Sequence, residues 1–375
     1  MSTLTAKVNS FCYAAEKRAG LYGASFFFAL LSMAIACLST TSRWEVHFHG
    51  TAFSQLSINP FDLSQENALR FRILSPILGY LFFMRGPQLY LYFILFVTVL
   101  FIAGVYVRYR KKNYSGTESL GMASLMAFSS IAYYILFFPA YSDPTSYLLI
   151  LLCMSFYDKK GIMTWLLILL VFNHESNLFV FPWLFYIMNS KNGRFHLAWK
   201  KDLKYILPFA TSMLLYVAYR IYITEHSPVQ FTLSYYFNMH NIEWTFNAIW
   251  KKLPVGIFMA FKLFWLFPIL AVLHFRKKSV LGGGHELMGF FLLFFGVLSQ
   301  LIIAYDLSRL ICLAFPLILL GAETTRNAWG TMLFNKRLWI IITLNFLVPT
   351  YLIGALEPTY MKPLIVELIQ NWIGR

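Results

Sequence analysis

Apolar segments recur from one end of this chain to the other, and no other feature restricts its folding as much. They run over 20–41, 69–84, 88–107, 119–139, 145–157, 161–173, 177–189, 205–223, 254–275, 285–304, 308–321 and 338–356. A bilayer crossing takes about 20 apolar residues, so the longer segments are of spanning length and several are short. The polar surface left over cannot cover a water-soluble globule. Of 375 residues, 59% are hydrophobic and 13% charged, where soluble domains carry roughly 25% charged. An ordinary soluble enzyme and a disulfide-stapled secreted domain are both excluded. Cys12, Cys37, Cys153 and Cys312 are scattered without metal-ligand spacing and read as packing residues. The fold class that follows is an all-α polytopic membrane protein forming a single transmembrane domain over 1–375.

Basic residues set the expected orientation, because cytoplasmic loops retain Lys and Arg. Lys7, Lys17 and Arg18 lie in an amphipathic segment, 1–19, that precedes the first span and places the N-terminus in the cytoplasm. Further clusters fall at 108–112, 159–160, 191–204, 276–278 and 326–337, one pair of crossings apart. This count holds only if 69–84 does not cross. That segment is headed by Arg70 and Arg72 and interrupted by Pro76. The stretch 42–87 is therefore expected to be one long external loop with a surface or re-entrant helix, and 224–253 a second external loop. The total is about eleven transmembrane helices (10–12). The formal charge of +15 reads as attraction of cytoplasmic loops to anionic lipids, with no nucleic acid as partner. The expected setting is a bacterial inner membrane. The oligomeric state is not written in the pattern.

With the cations assigned inside, 8 of the 16 acidic residues fall on the external side, with His47, His49, His174, His226 and His240. Charged groups at the edges of apolar segments are costly and face a cavity or a partner. Glu45 or Asp62, in the first loop, suits a general base toward a hydroxyl or a ligand of a divalent cation. His47 and His49 alternate in a segment read as extended, with both rings on one face. Arg70 and Arg72 suit a phosphate clamp or an anchor to lipid headgroups. Asp143, in Tyr141-Ser142-Asp143-Pro144, reads either as helix-start chemistry or as a group at a cavity mouth.

The turn Asn173-His174-Glu175-Ser176-Asn177 sets four polar side chain types between strongly apolar runs, so Glu175 requires a partner. Asp306 and Arg309 are spaced to pair on one helix face, and Arg309 is also placed to meet an anionic donor. The loop from Tyr235 to Trp244, with His240 and Asn241, mixes aromatics and amides suited to stacking on a sugar or to a membrane interface. Lys251, Lys252 and Lys262 add positive charge expected to face the headgroups.

These short motifs resemble those of the GT-C-type polytopic glycosyltransferases. The likeness rests on Arg72-Ile73-Leu74-Ser75-Pro76, Ser142-Asp143-Pro144, His174-Glu175 and Asp306-Leu307-Ser308-Arg309, within residues 20 to 325. It implies a GT-C-like fold and transfer of a sugar from a polyprenyl-phosphate donor to a glycan or lipid acceptor on the non-cytoplasmic face. The base carboxylate of the family's first external loop maps onto Glu45 or Asp62. Arg70, Arg72 and Arg309 would then meet the donor phosphate. Asp143, His174, Glu175, Asp306, His47, His49 and His240 would line the sugar site or hold a divalent cation, Mg2+ or Mn2+. Two other readings stay open: an O-antigen-type polymerase, and a transporter or flippase for a lipid-linked or polyanionic solute.

Overall fold

The computed structural model describes residues 2–40, 43–62, 64, 67–191, 194–195, 199–227, 239–279, 284–302, 306–354 and 357–373. The chain is an all-α, multi-pass membrane protein. Five of its described helical segments are long and apolar enough to cross a bilayer: Thr5–Ser39, Gly86–Lys111, Ile206–His226, Ile242–Arg276 and Leu307–Trp329. A bent pair, Gly116–Ala127 with Ser130–Phe137, makes a sixth when taken as one span, and shorter apolar helices of 10–17 residues accompany them. Large apolar side chains such as Leu214 (71%) and Trp165 (68%) lie exposed. In water such surfaces would aggregate, whereas hydrocarbon solvates them.

Helix α1 (Ser2–Ser39) is broken at Gly20, whose φ of 71° suits a residue without a Cβ. Three short helices follow, α2 (His49–Leu56), α3 (Asn67–Arg70) and α4 (Leu74–Leu81), none of spanning length. Helix α5 (Gly86–Lys111) starts at Gly86-Pro87, where proline costs no hydrogen bond, and ends in Arg108, Arg110 and Lys111, which complement the helix dipole. Helix α6 (Gly116–Ala127) opens with a reciprocal cap between Ser115 and Glu118. It meets α7 (Ser130–Phe137) at a 47° bend.

The middle of the chain contributes α8 (Asp143–Phe156), α9 (Lys160–Asn173), a 3-10 turn (Glu175–Val180), α10 (Phe181–Asn189) and α11 (Trp199–His226). Next come α12 (Met239–Ile249), α13 (Leu253–Phe261), α14 (Leu266–Ser279) and α15 (Gly284–Ser299). The last helices are α16 (Leu307–Ile311), α17 (Phe315–Trp329), α18 (Thr331–Leu347) and α19 (Leu364–Ile373). Two small antiparallel hairpins complete the structure, β1 (Ser190–Lys191) with β2 (Arg194–Phe195) and β3 (Thr350–Leu352) with β4 (Thr359–Met361).

Two sequence expectations are corrected by the backbone. His47 and His49 do not share an extended segment. Phe48 takes φ 51°, and His49 begins α2, with the His47 carbonyl accepting the Gly50 N–H at 3.0 Å. Nor does Lys262 face the headgroups. It sits at a break between α13 and α14 with 1% of its surface exposed. Its ammonium donates to Val348 O at 2.8 Å and Thr350 Oγ1 at 2.7 Å and lies 4.9 Å from the Tyr133 ring centroid. Part of the sugar-stacking loop, 228–238, lies outside the described residues.

At the end of the bundle where α5 finishes, much of the expected lipid-facing charge is already engaged. Arg110 pairs with Glu16 at 2.6 Å, Lys112 with Glu323 at 2.8 Å and Arg326 with Glu118 at 2.7 Å. Tyr106 and Tyr109 donate to Glu16 and Glu323. These pairs lock α1, α5, α6 and α17 together.

Between helices in lipid, close packing replaces the hydrophobic effect as the organising force. Gly321 on α17 shows how close the approach is. A Cβ there would lie 2.6–2.8 Å from backbone atoms of Phe267 and Pro268 on α14. Gly321→Leu is expected to destabilise the fold by about 1–3 kcal/mol through overpacking. Thermal unfolding in detergent checks this, with Gly161→Ala as the neutral control, since a Cβ at Gly161 meets nothing within 4 Å.

Candidate functional site

The charged residues gather at the opposite end of the bundle, and the pairing begins with Arg72. It sits in the turn between α3 and α4 and reaches the carboxylate of Glu175, 103 residues away, from two nitrogens. Arg72 Nε donates to Glu175 Oε2 at 3.0 Å and Nη2 donates to Oε1 at 2.5 Å. This planar, two-point contact is the strongest form of carboxylate pairing. Burial opposes the charged form of Glu175, but the Arg72 charge and hydrogen bonds more than offset it and hold the carboxyl below its usual range.

Beside it, Asn173 ends α9 and is fully buried. Its Nδ2 donates to Ser142 O at 2.9 Å and Ser146 Oγ at 2.7 Å, and its Oδ1 accepts from the Ser75 hydroxyl at 2.7 Å. Thr145 and Ser75 are 2.7 Å apart through their hydroxyls. Asn177 donates to Ser146 Oγ and to Leu170 O, each at 2.8 Å. Such hydrogen bonds between membrane helices average about 0.6 kcal/mol. Together they form a polar seam joining α4, α8, α9 and the 3-10 turn behind the charged groups.

A second pairing comes from α16. Arg309 is 2.9 Å from Asp306 and 3.7 Å from Asp143. Its guanidinium lies 5.5 Å and 5.2 Å from the ring centroids of Tyr134 and Tyr141, within cation–π range. The Tyr141 ring in turn stands 5.8 Å from that of His49. Burial, with Arg72 and Arg309 nearby, pushes the His49 imidazole down to about 4. His49 remains exposed, at the edge of the cluster.

His174 lies deeper, with 4% of its surface exposed. Its Nδ1 accepts the Ser176 backbone N–H at 3.1 Å, so the neutral ring carries its proton on Nε2. That Nε2 has no hydrogen-bond partner among the described residues, and neither do Arg309 Nε or Asp143 Oδ2. Two donors and one acceptor are thus left unsatisfied where burial makes that costly.

The structure brings together Arg72, Glu175, His174, Asp143, Arg309, Asp306 and His49. No contact among the described residues brings Glu45 or His47 to them, and His240 lies in the first turn of α12. Asp62 accepts the Ser64 N–H at 2.9 Å in a turn and acts electrostatically on Arg70. Arg70 is buried and diverges from Arg72. Its Nη1 donates to Ser227 Oγ at 2.8 Å, and its carbonyl accepts from Tyr219 on α11. Among the described residues, no group of three or more His, Cys, Asp or Glu is placed to hold a metal ion. Sequence reasoning missed Tyr134 and Ser146. Ser146, three residues from Asp143 on one helix face, was detectable by spacing, whereas Tyr134 is hidden in a uniformly apolar, aromatic run.

Compared with protein-family models, with curated proteins and with solved structures, the chain matches none.

Two predictions follow from the pairing and from the histidines. Arg72→Met strands the Glu175 carboxylate and is expected to cost about 3 kcal/mol, with Arg72→Met/Glu175→Met recovering most of the loss. Unfolding midpoints of the single and double variants measure this coupling. The folded imidazoles of His49 and His174 are both depressed below the ordinary 6.5, chiefly by burial and Arg72. The unfolded chain then binds more protons as pH falls through that value, so stability is full above it and declines below it. Thermal midpoints between about pH 7.5 and about pH 5 should fall, less steeply in His49→Asn.

Proposed function

We propose that this protein is a membrane glycosyltransferase that takes a sugar from a polyprenyl-phosphate donor and passes it to a glycan or lipid acceptor at the clustered end. The observation that carries this reading is the set of buried atoms without a partner among the described residues, His174 Nε2, Arg309 Nε and Asp143 Oδ2, in a cluster that holds two arginines, Arg72 and Arg309. A sugar phosphate supplies both the acceptors and the donor hydroxyl that such a set requires. The longer Arg309–Asp143 contact, 3.7 Å, is the one a substrate group enters.

In the transfer, the acceptor hydroxyl gives its proton to Asp143, and its oxygen bonds to the anomeric carbon. The bond from that carbon to the donor phosphate oxygen breaks. The phosphate leaves with the electron pair, toward Arg309 and Arg72. Glu175 and Asp306 hold those arginines in place, and His174 hydrogen-bonds a sugar oxygen through Nε2–H. Asp143 takes the role of base here in place of Glu45 or Asp62, because it lies among the charged groups. In this reading the fold is GT-C-like with about eleven crossings. The paired basic end faces the cytoplasm and the clustered end the opposite side.

A transporter or flippase of a lipid-linked anion is the second reading. Its support is the breaks in spans beside the cluster: the 47° bend between α6 and α7 and the interruption after α16. Broken helices accompany alternating access.

With polyprenyl-phosphate sugars and candidate acceptors, purified protein is expected to release polyprenyl phosphate. Asp143→Asn and Arg309→Lys should lower turnover by at least about 100-fold while leaving thermal stability measurable. Donor that crosses liposome membranes uncleaved would favour transport and overturn the enzyme. For orientation, single cysteines replacing the exposed Glu45 and Lys111 should label from opposite sides of the membrane.

A further inference from the structure

At the basic end, away from the candidate site, two cavities adjoin. One is a groove of about 480 Å³ between the first turns of α1 and the face of α18, with Val8, Trp339, Ile340 and Leu344 among its lining residues. From Asn335 to Leu344 it follows α18 for about 14 Å, at 1.5 Å per residue. The other is a polar recess of about 640 Å³ lined by Arg110, Tyr114, Ser115, Glu118 and Arg326. Asn335 lines both.

Two buried polar atoms mark the junction and the groove. Asn335 is 9% exposed, and its Oδ1 has no partner among the described residues. Trp339 Nε1, one helical turn further on, is likewise buried without a partner there. Lys336, exposed at the groove, makes no ion pair among the described residues. Of the cations that line the two cavities, Arg110 and Arg326 are neutralised by Glu16 and Glu118, which leaves Lys336 as the excess positive charge in the lining.

We propose that this continuous groove and recess is a specific site for one anionic phospholipid with a hydroxyl-bearing headgroup. An acyl chain fills the apolar groove, and the headgroup enters the polar recess with its phosphate toward Lys336. The unsatisfied Asn335 Oδ1 accepts from a headgroup hydroxyl, and Trp339 Nε1–H donates to an ester oxygen at the chain's root. A purely hydrocarbon ligand would leave both polar atoms and the recess unfilled. A free phosphate would leave the groove empty. Only an amphiphile of this kind satisfies both halves.

The test uses the full-length protein in nanodiscs of zwitterionic lipid, doped with phosphatidylglycerol or phosphatidylcholine brominated in the acyl chain. The Trp339 contribution to fluorescence quenching is isolated by comparison with Trp339→Phe. Quenching by phosphatidylglycerol at a mole fraction at least about 5-fold lower than by phosphatidylcholine is expected. Lys336→Ala, a change of an exposed side chain, and Asn335→Leu should each reduce that preference toward unity. Should Asn335→Leu fail to fold, Lys336→Ala alone decides the matter. Equal quenching by the two lipids in the unaltered protein, meaning ordinary annular lipid, would overturn the proposal. So would a preference unchanged in Lys336→Ala.

Discussion

A carboxylate enclosed among apolar helices is costly without a counter-charge in good geometry, and the Arg72–Glu175 pair supplies one at the clustered end. Its hydrogen bonds fix the turn before α4 against the turn after α9. That contact also fixes His174, the neighbour of Glu175, and the polar seam around Asn173. Without it, the cost of two enclosed ions would drive the turns apart toward water. The cluster with its unsatisfied atoms depends on these two turns being held together.

The two ends of the bundle use charge differently. At the basic end, Glu16, Glu118 and Glu323 each meet a cation at short range, with tyrosines adding further hydrogen bonds. Those groups serve as structural braces, and the positive charge that reaches the lipid is smaller than a count of Lys and Arg implies. At the other end the pairing is incomplete. Arg309 is shared between a close Asp306 and a more distant Asp143, and His174 Nε2, Arg309 Nε and Asp143 Oδ2 are among the buried polar atoms without a partner among the described residues. Incomplete satisfaction inside a folded protein is characteristic of binding sites, where a ligand supplies the missing partners.

Much of this was legible in the chain because it depends on local pattern. The recurring apolar segments marked a multi-pass helical membrane protein, though the described residues hold five helices of spanning length rather than about eleven. The need of Glu175 for a partner followed from its apolar flanks alone. The spacing of Asp306 and Arg309 foretold their contact. Other features were not legible. Arg70 and Arg72 have the same side chain two positions apart, yet one packs against α11 and the other reaches Glu175. Lys262, grouped by sequence with Lys251 and Lys252 as a charge facing the headgroups, is buried at a helix break. Phe48 turns the chain between two histidines that alternate in sequence.

The amino-acid sequence by itself determined that this is a multi-pass helical membrane protein with its scarce acids and histidines at the edges of apolar segments. That follows from composition and period, which act on each residue independently of distant ones. Tertiary structure alone decided which charges meet. It brought Asp143, His174, Glu175, Arg72, Arg309, Asp306 and His49 together from a larger set, and left Glu45 and His47 without a contact to them among the described residues. The physical reason is that an ion pair across 103 residues depends on how helices pack, and packing is a property of the assembled bundle rather than of any local segment.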